Sequence, residues 1–124
     1  MTGSSDRRAV AVIDIGSSSI QITVARVHSA GIETLDRAKF NAKLRIALDR
    51  NGHLTSAVMD HVIEKLVEYR VLAQKHTAPV KATATATLRA AANAEEFVQR
   101  IQDEAQIEVQ VISGFREASL VYAG

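Results

Sequence analysis

Cysteine and tryptophan are absent from this sequence, proline occurs once, and aromatic residues make up 4%. Without cysteine, a disulfide scaffold, a thiolate metal site and a cysteine nucleophile are all excluded. So few rings argue against a base-stacking platform for single-stranded nucleic acid. Neither sign of charge is in excess: fifteen Lys and Arg stand against fourteen Asp and Glu, a net charge of +1. A balance that close lacks the concentrated basic patch of sequence-independent nucleic-acid binding, and no nucleic-acid partner is expected. Long hydrophobic runs are missing as well. Charge breaks every apolar stretch well short of the roughly 20 residues a membrane span needs, so no membrane partner is expected. Met1 to Arg8 is polar and has no secretory apolar run. It reads as a disordered lead-in (residues 1–8) to a cytoplasmic chain.

What is present is a core. Of 124 residues, 47% are apolar and 23% charged. That suffices for one globular domain and leaves no room for a complete two-lobed enzyme. Ala9 to Ile15 (AVAVIDI) is apolar except at Asp14 and predicts a strand in the interior of a sheet, covered on both faces. Gly16-Ser17-Ser18-Ser19 breaks the run, and Ile20, Ile22 and Val24 then alternate with polar neighbours. A short link between two such strands predicts an antiparallel hairpin. A third, weaker strand is expected over Ile32 to Phe40. Asn41 to Gly52 is the least readable segment; it carries Lys43, Arg45 and Arg50 and ends in an Asn51-Gly52 turn signal.

Thr55 is a suitable N-cap for a long helix with Val58, Val62, Leu66, Tyr69 and Ala73 on its apolar face, widened by Ile63 and Val67. After Pro79, Val80 to Thr85 favours strand. Asn93-Ala94-Glu95-Glu96 has the form of a capping box opening a helix with Phe97, Ile101 and Ala105 inward. Ile107 to Ile112 alternates as a strand, and a last helix is expected from Phe115. The order βββαβαβα implies an antiparallel meander followed by parallel strands with helical crossovers, hence an α/β fold with a mixed sheet.

Three constellations could carry chemistry. Asp14 with Gly16, Ser17, Ser18 and Ser19 places a carboxylate and an anion-accepting turn at a strand end. Phosphate would suit the turn but not the aspartate, and a divalent cation between them would resolve that conflict. The competing reading is an ordinary hairpin turn. Thr83, Thr85, Thr87 and Arg89 could direct hydroxyls and a guanidinium towards one pocket; by themselves they are better explained by β-propensity and a solvated arginine. In Ser113-Gly114-Phe115-Arg116-Glu117-Ala118, Glu117 could act as general base on a water, or simply favour a helix N-terminus. His28, His53, His61 and His76 share no ligand spacing, and no nucleophilic triad, Walker-type loop or dinucleotide fingerprint is present.

Taken together and in order, VIDIGSSSIQITVARV, TATLRAAANAEEFVQRI and IEVQVISGFREASLVYAG resemble three successive signatures of the exopolyphosphatase / guanosine pentaphosphate phosphohydrolase (Ppx/GppA) family. The resemblance runs from Ala9 to Gly124 and is weakest between Asn41 and Gly52. It implies one lobe of the actin-like, sugar-kinase and Hsp70 ATPase fold (ribonuclease H-like), with a second, C-terminal lobe absent. It further implies Mg²⁺-dependent release of terminal phosphate from polyphosphate or guanosine pentaphosphate. By the same resemblance Asp14 holds the metal, Gly16, Ser17, Ser18 and Ser19 bind phosphate, Arg89 faces the cleft and Glu117 activates the attacking water. Ser18 stands where the family has asparagine, and Arg116 where it has the first of two glutamates.

Three readings follow. In the first, residues 9–124 are the N-terminal lobe of such a phosphatase, with little activity in isolation and an exposed seam that would promote self-association. In the others the chain is a non-catalytic phosphate- or nucleotide-binding module, or the N-terminal lobe of a sugar- or acetate-kinase-like enzyme.

Overall fold

The computed structural model describes residues 8–84, 88 and 90–111. Three strands open the chain: β1 (Ala9–Ile15), β2 (Ile20–His28) and β3 (Gly31–Phe40). A one-turn helix α1 (Leu44–Ala47) and the long helix α2 (Ser56–Lys75) follow. Then come β4 (Val80–Ala84), α3 (Ala94–Arg100) running into a π-helical turn over Ile101–Ala105, and β5 (Val109–Val111). The five strands form one sheet in the order β3-β2-β1-β4-β5. β1 pairs antiparallel with β2 and β2 with β3, whereas β1–β4 and β4–β5 are parallel. This is the expected mixed α/β arrangement, with α1 as an addition. The helix expected from Phe115 lies outside the described residues, as do residues 1–7.

One continuous core holds the domain together. Ile13 and Ile15 of β1, Ile20 and Ile22 of β2, Leu66 of α2, Phe97 of α3 and Ile101 all belong to it. Thr55 caps α2 as predicted, its hydroxyl accepting from the Val58 N–H at 3.2 Å. The buried stripe of α2 is Met59, Val62, Ile63, Leu66, Tyr69 and Ala73, so Met59 takes a fully inward place that Val58 and Val67 fill only in part.

Three expectations need correction. β1 is central in the sheet, but among the described residues only one of its faces is covered. Ala9, Ala11, Ile13 and Ile15 are buried, while Val10 and Val12 are 37% and 48% exposed. An AVAVI run hides this because alanine and valine are apolar on both sides of the pleat, so no alternation is visible. Second, the capping box at Asn93 does not form: its side chain makes no cap bond. Its amide instead clamps the backbone of Leu54, accepting from that residue's N–H at 2.9 Å and donating to its carbonyl at 2.8 Å. A side-chain amide carries both a donor and an acceptor and so can meet the N–H and the carbonyl of one backbone residue together. Third, β5 begins at Val109; Ile107 is buried ahead of it.

The β2–β3 pairing carries a bulge. Val24 faces Asp36 and Ala25 faces Thr34, leaving Leu35 as the extra residue. A one-residue insertion exchanges the faces of everything beyond it. That sets Lys39 opposite Gln21 and Phe40 opposite Ile20. Phe40 then meets Tyr69 and His61 edge-on, with ring centroids 6.0 and 5.9 Å away.

Candidate functional site

The turn between β1 and β2 is held from several sides. The Gly16 N–H donates to the Ser19 carbonyl at 3.0 Å, just beyond the closing pair Ile15 and Ile20. A Cβ on Gly16 would lie 3.1 Å from that same carbonyl oxygen, so the turn is tight enough to favour glycine there. Behind it, the buried Tyr69 hydroxyl donates to the Ile20 carbonyl at 3.1 Å, tying the start of β2 to α2. Burial raises the Tyr69 pKa, and Glu68 raises it further, so this donor keeps its proton. The carbonyls of Ser17 and Ser18 are engaged by backbone donors, whereas the N–H groups of Ser18 and Ser19 meet no backbone acceptor among the described residues. Amides left this way at a small-residue turn suit an anion.

Asp14 sits one residue before the end of β1, on the open face of the sheet. Its cross-strand partners are Gln21 on β2 and Thr83 on β4. Gln21 in turn faces Lys39, and Thr83 faces Gln110. Directly opposed residues share a face, so Lys39, Gln21, Asp14, Thr83 and Gln110 form one polar row across all five strands. The row crosses the carboxyl ends of β1 and β4, where open α/β sheets place their ligands. Such a row explains the lone aspartate in an apolar strand.

Among the described residues no group of three His, Cys, Asp or Glu side chains could hold a metal ion. One carboxylate beside the oxygens of Gln21 and Thr83 fits a hard cation that keeps waters and takes its other ligands from a phosphate. The histidines are engaged elsewhere or scattered: His53 lies 3.8 Å from Asp49 and His76 lies 3.4 Å from Asp36.

The segment that was hardest to read supplies what the sequence reading missed. The Lys43 N–H donates to the Ser18 carbonyl at 2.8 Å, and the Arg45 N–H donates to the Ser17 carbonyl at 3.0 Å. The backbone of residues 43–45 is thus bonded to the Gly16–Ser19 turn, which sets two basic residues next to it. The same segment then reaches the start of α3. Gly52, in the left-handed region at φ 76°, accepts from the Ala92 N–H at 2.8 Å, and Leu54 is held by Asn93. The Asn51-Gly52 turn signal pointed to this bend, but nothing local pointed to its partners.

Of the remaining sequence candidates, Thr83 joins the row. Thr85, Thr87 and Arg89, and the stretch Ser113 to Ala118 with Glu117, lie outside the described residues.

The turn, the aspartate and the strand order together invite comparison with known proteins. The model of the Ppx/GppA phosphatase family matches residues 23–124. The chain belongs to the Ppx/GppA phosphatase family. Its fold is that of solved members. A Ppx/GppA enzyme from Aquifex aeolicus superposes with a TM-score of 0.80 at 33% identity, over 86% of this chain and 36% of that one. An exopolyphosphatase from Cytophaga hutchinsonii gives a TM-score of 0.84 at 30% identity, over 91% of this chain and 36% of that one. The PilM–PilN complex of type IV pilus biogenesis shares the fold alone, with a TM-score of 0.51 at 14% identity. This Ppx/GppA chain therefore spans little more than a third of the family structures it matches, and its lobe is of the actin-like class. No described helix is long and apolar enough to cross a membrane.

Proposed function

We propose that this chain is the phosphate-binding lobe of a hydrolase that releases terminal phosphate from a phosphoanhydride chain, inorganic polyphosphate or guanosine pentaphosphate. The observation that carries the reading is the Gly16–Ser19 turn, whose Ser18 and Ser19 amides meet no backbone acceptor among the described residues, beside Asp14 at the carboxyl end of a central strand, in a member of this phosphatase family. The likeness to an exopolyphosphatase supports polyphosphate as one substrate. The family assignment sets aside the sugar- or acetate-kinase reading.

In this scheme the Ser18 and Ser19 amides receive oxygens of the terminal phosphate, and Arg89 stabilises charge that grows on them during transfer. Asp14, with the oxygens of Thr83 and Gln21, would hold Mg²⁺, and the ion when bound would supply neutralising charge to the phosphate. Glu117 accepts a proton from the water that attacks phosphorus, and the phosphoanhydride oxygen leaves in line. The second lobe forms the opposite wall of the cleft.

The test is orthophosphate release from polyphosphate and from guanosine pentaphosphate by the two-lobed parent. Glu117→Gln should lower turnover by about 100-fold or more, in the range usual for a general base, while binding stays within about threefold. Unchanged turnover would remove Glu117 from that role. A second reading rests on Arg116 and Ser18, which stand where the family has glutamate and asparagine: a module that binds the phosphate chain without cleaving it. A parent that binds polyphosphate and releases no phosphate would establish it.

A further inference from the structure

We infer that Lys43 and Arg45 form a basic flank to the Gly16–Ser19 turn and bind the phosphates that follow the terminal one, so that the site prefers a phosphate chain over a single phosphate. The inference rests on the reading of that turn as a phosphate site. Three observations carry it. First, both residues are joined to the turn itself, through N–H donors to the Ser18 and Ser17 carbonyls at 2.8 and 3.0 Å. Their position is therefore fixed relative to the Ser18 and Ser19 amides and does not depend on a wandering loop. Second, both side chains are exposed, and neither makes an ion pair with any described residue. The arginine at position 100, by contrast, is bound to Asp60 and Glu104. Third, Lys43 adopts the left-handed conformation at φ 54° and ψ 46°, which a lysine adopts less readily than glycine or asparagine.

The charge arithmetic points the same way. Asp14 brings a negative charge close to this turn, two residues before Gly16, and a chain of phosphates carries more negative charge with every unit. Two amides and one cation-holding carboxylate satisfy a single terminal phosphate, but the second and third phosphates need donors further out. Lys43 offers a point charge with three donors, and Arg45 a planar fork that can grip two oxygens of one phosphate.

The test compares binding of inorganic tripolyphosphate and orthophosphate to the 124-residue chain by isothermal titration and amide NMR, across a range of salt. The variants are K43Q, R45Q, the double variant and R45K. Removing two charge-assisted contacts should weaken tripolyphosphate binding by about tenfold or more and leave orthophosphate within about twofold. The salt dependence of tripolyphosphate binding should become shallower in the double variant, because fewer counterions are displaced. R45K should restore part of the loss, a recovery that a purely structural role for Arg45 would not produce. If wild type binds tripolyphosphate and the double variant binds it equally, with the same salt slope, this inference is overturned and the turn remains a phosphate site. If wild type shifts no amide of Ser18 or Ser19 with either anion, the reading of the turn itself is overturned.

Discussion

Asp49 shows how one side chain shapes a segment that has little regular structure. Its carboxylate accepts from the backbone N–H groups of Asn51 at 2.8 Å and His53 at 2.9 Å, and its own carbonyl accepts from Gly52. These bonds to the charged form, that from His53 foremost, hold its pKa below the ordinary aspartate value near 3.8. A carboxylate with a depressed folded-state pKa stabilises the fold above the unfolded value, and that contribution is lost as pH falls through the folded one. The stability advantage of wild type over Asp49→Asn should thus be constant near neutrality and shrink below about pH 4. Urea denaturation at a series of pH values reads this directly, and a difference independent of pH would refute it. Tyr69 acts on the same scale. Its phenol had a place in the predicted apolar stripe, but the bond to the Ile20 carbonyl joins residues 49 positions apart and has no local signature.

Between elements, the decisive contact is the clamp of Asn93 on Leu54. A capping residue and a clamping residue make opposite predictions for one substitution. Aspartate caps a helix as well as asparagine does, so Asn93→Asp would be harmless if the side chain capped α3. As a clamp, aspartate loses the donor to the Leu54 carbonyl and places its charge against that oxygen. Asn93→Asp should therefore destabilise the domain by about 1–3 kcal/mol, close to the effect of Asn93→Ala. Equal stability of Asn93→Asp and wild type in thermal or urea unfolding would return the residue to its capping role. The elements themselves were largely legible. β1, β2 and α2 fall where strand alternation, turn residues and the Thr55 cap placed them, because those signals are local and concern which side chains are buried. α1 was not legible: four residues are too few to show a helical period.

At the scale of the whole molecule, the sheet buries one face against the helices, and Asp14 and its polar neighbours lie on the other, which no described residue covers. On the proposed reading this face is one wall of a cleft, and one wall can bind phosphate without enclosing it. Hydrolysis needs water excluded and charge stabilised from both sides. The 124-residue chain should accordingly release phosphate from polyphosphate at no more than about 1% of the rate of a two-lobed parent, the loss expected when part of a preorganised electrostatic site is missing. Comparable rates in the phosphate-release assay would show that the lobe is complete for catalysis. The sequence by itself determined the fold class, the order of the five strands and of the helices α2 and α3, and the Asp14-to-Ser19 turn, since each is written in residues close together along the chain. Only the tertiary structure decided which face of β1 is open and that Lys39 shares a row with Asp14. It alone showed that Lys43 and Arg45 dock on the turn. Those facts depend on a bulge at Leu35 and on backbone bonds between distant segments, and a one-residue shift in register leaves no mark on composition or periodicity.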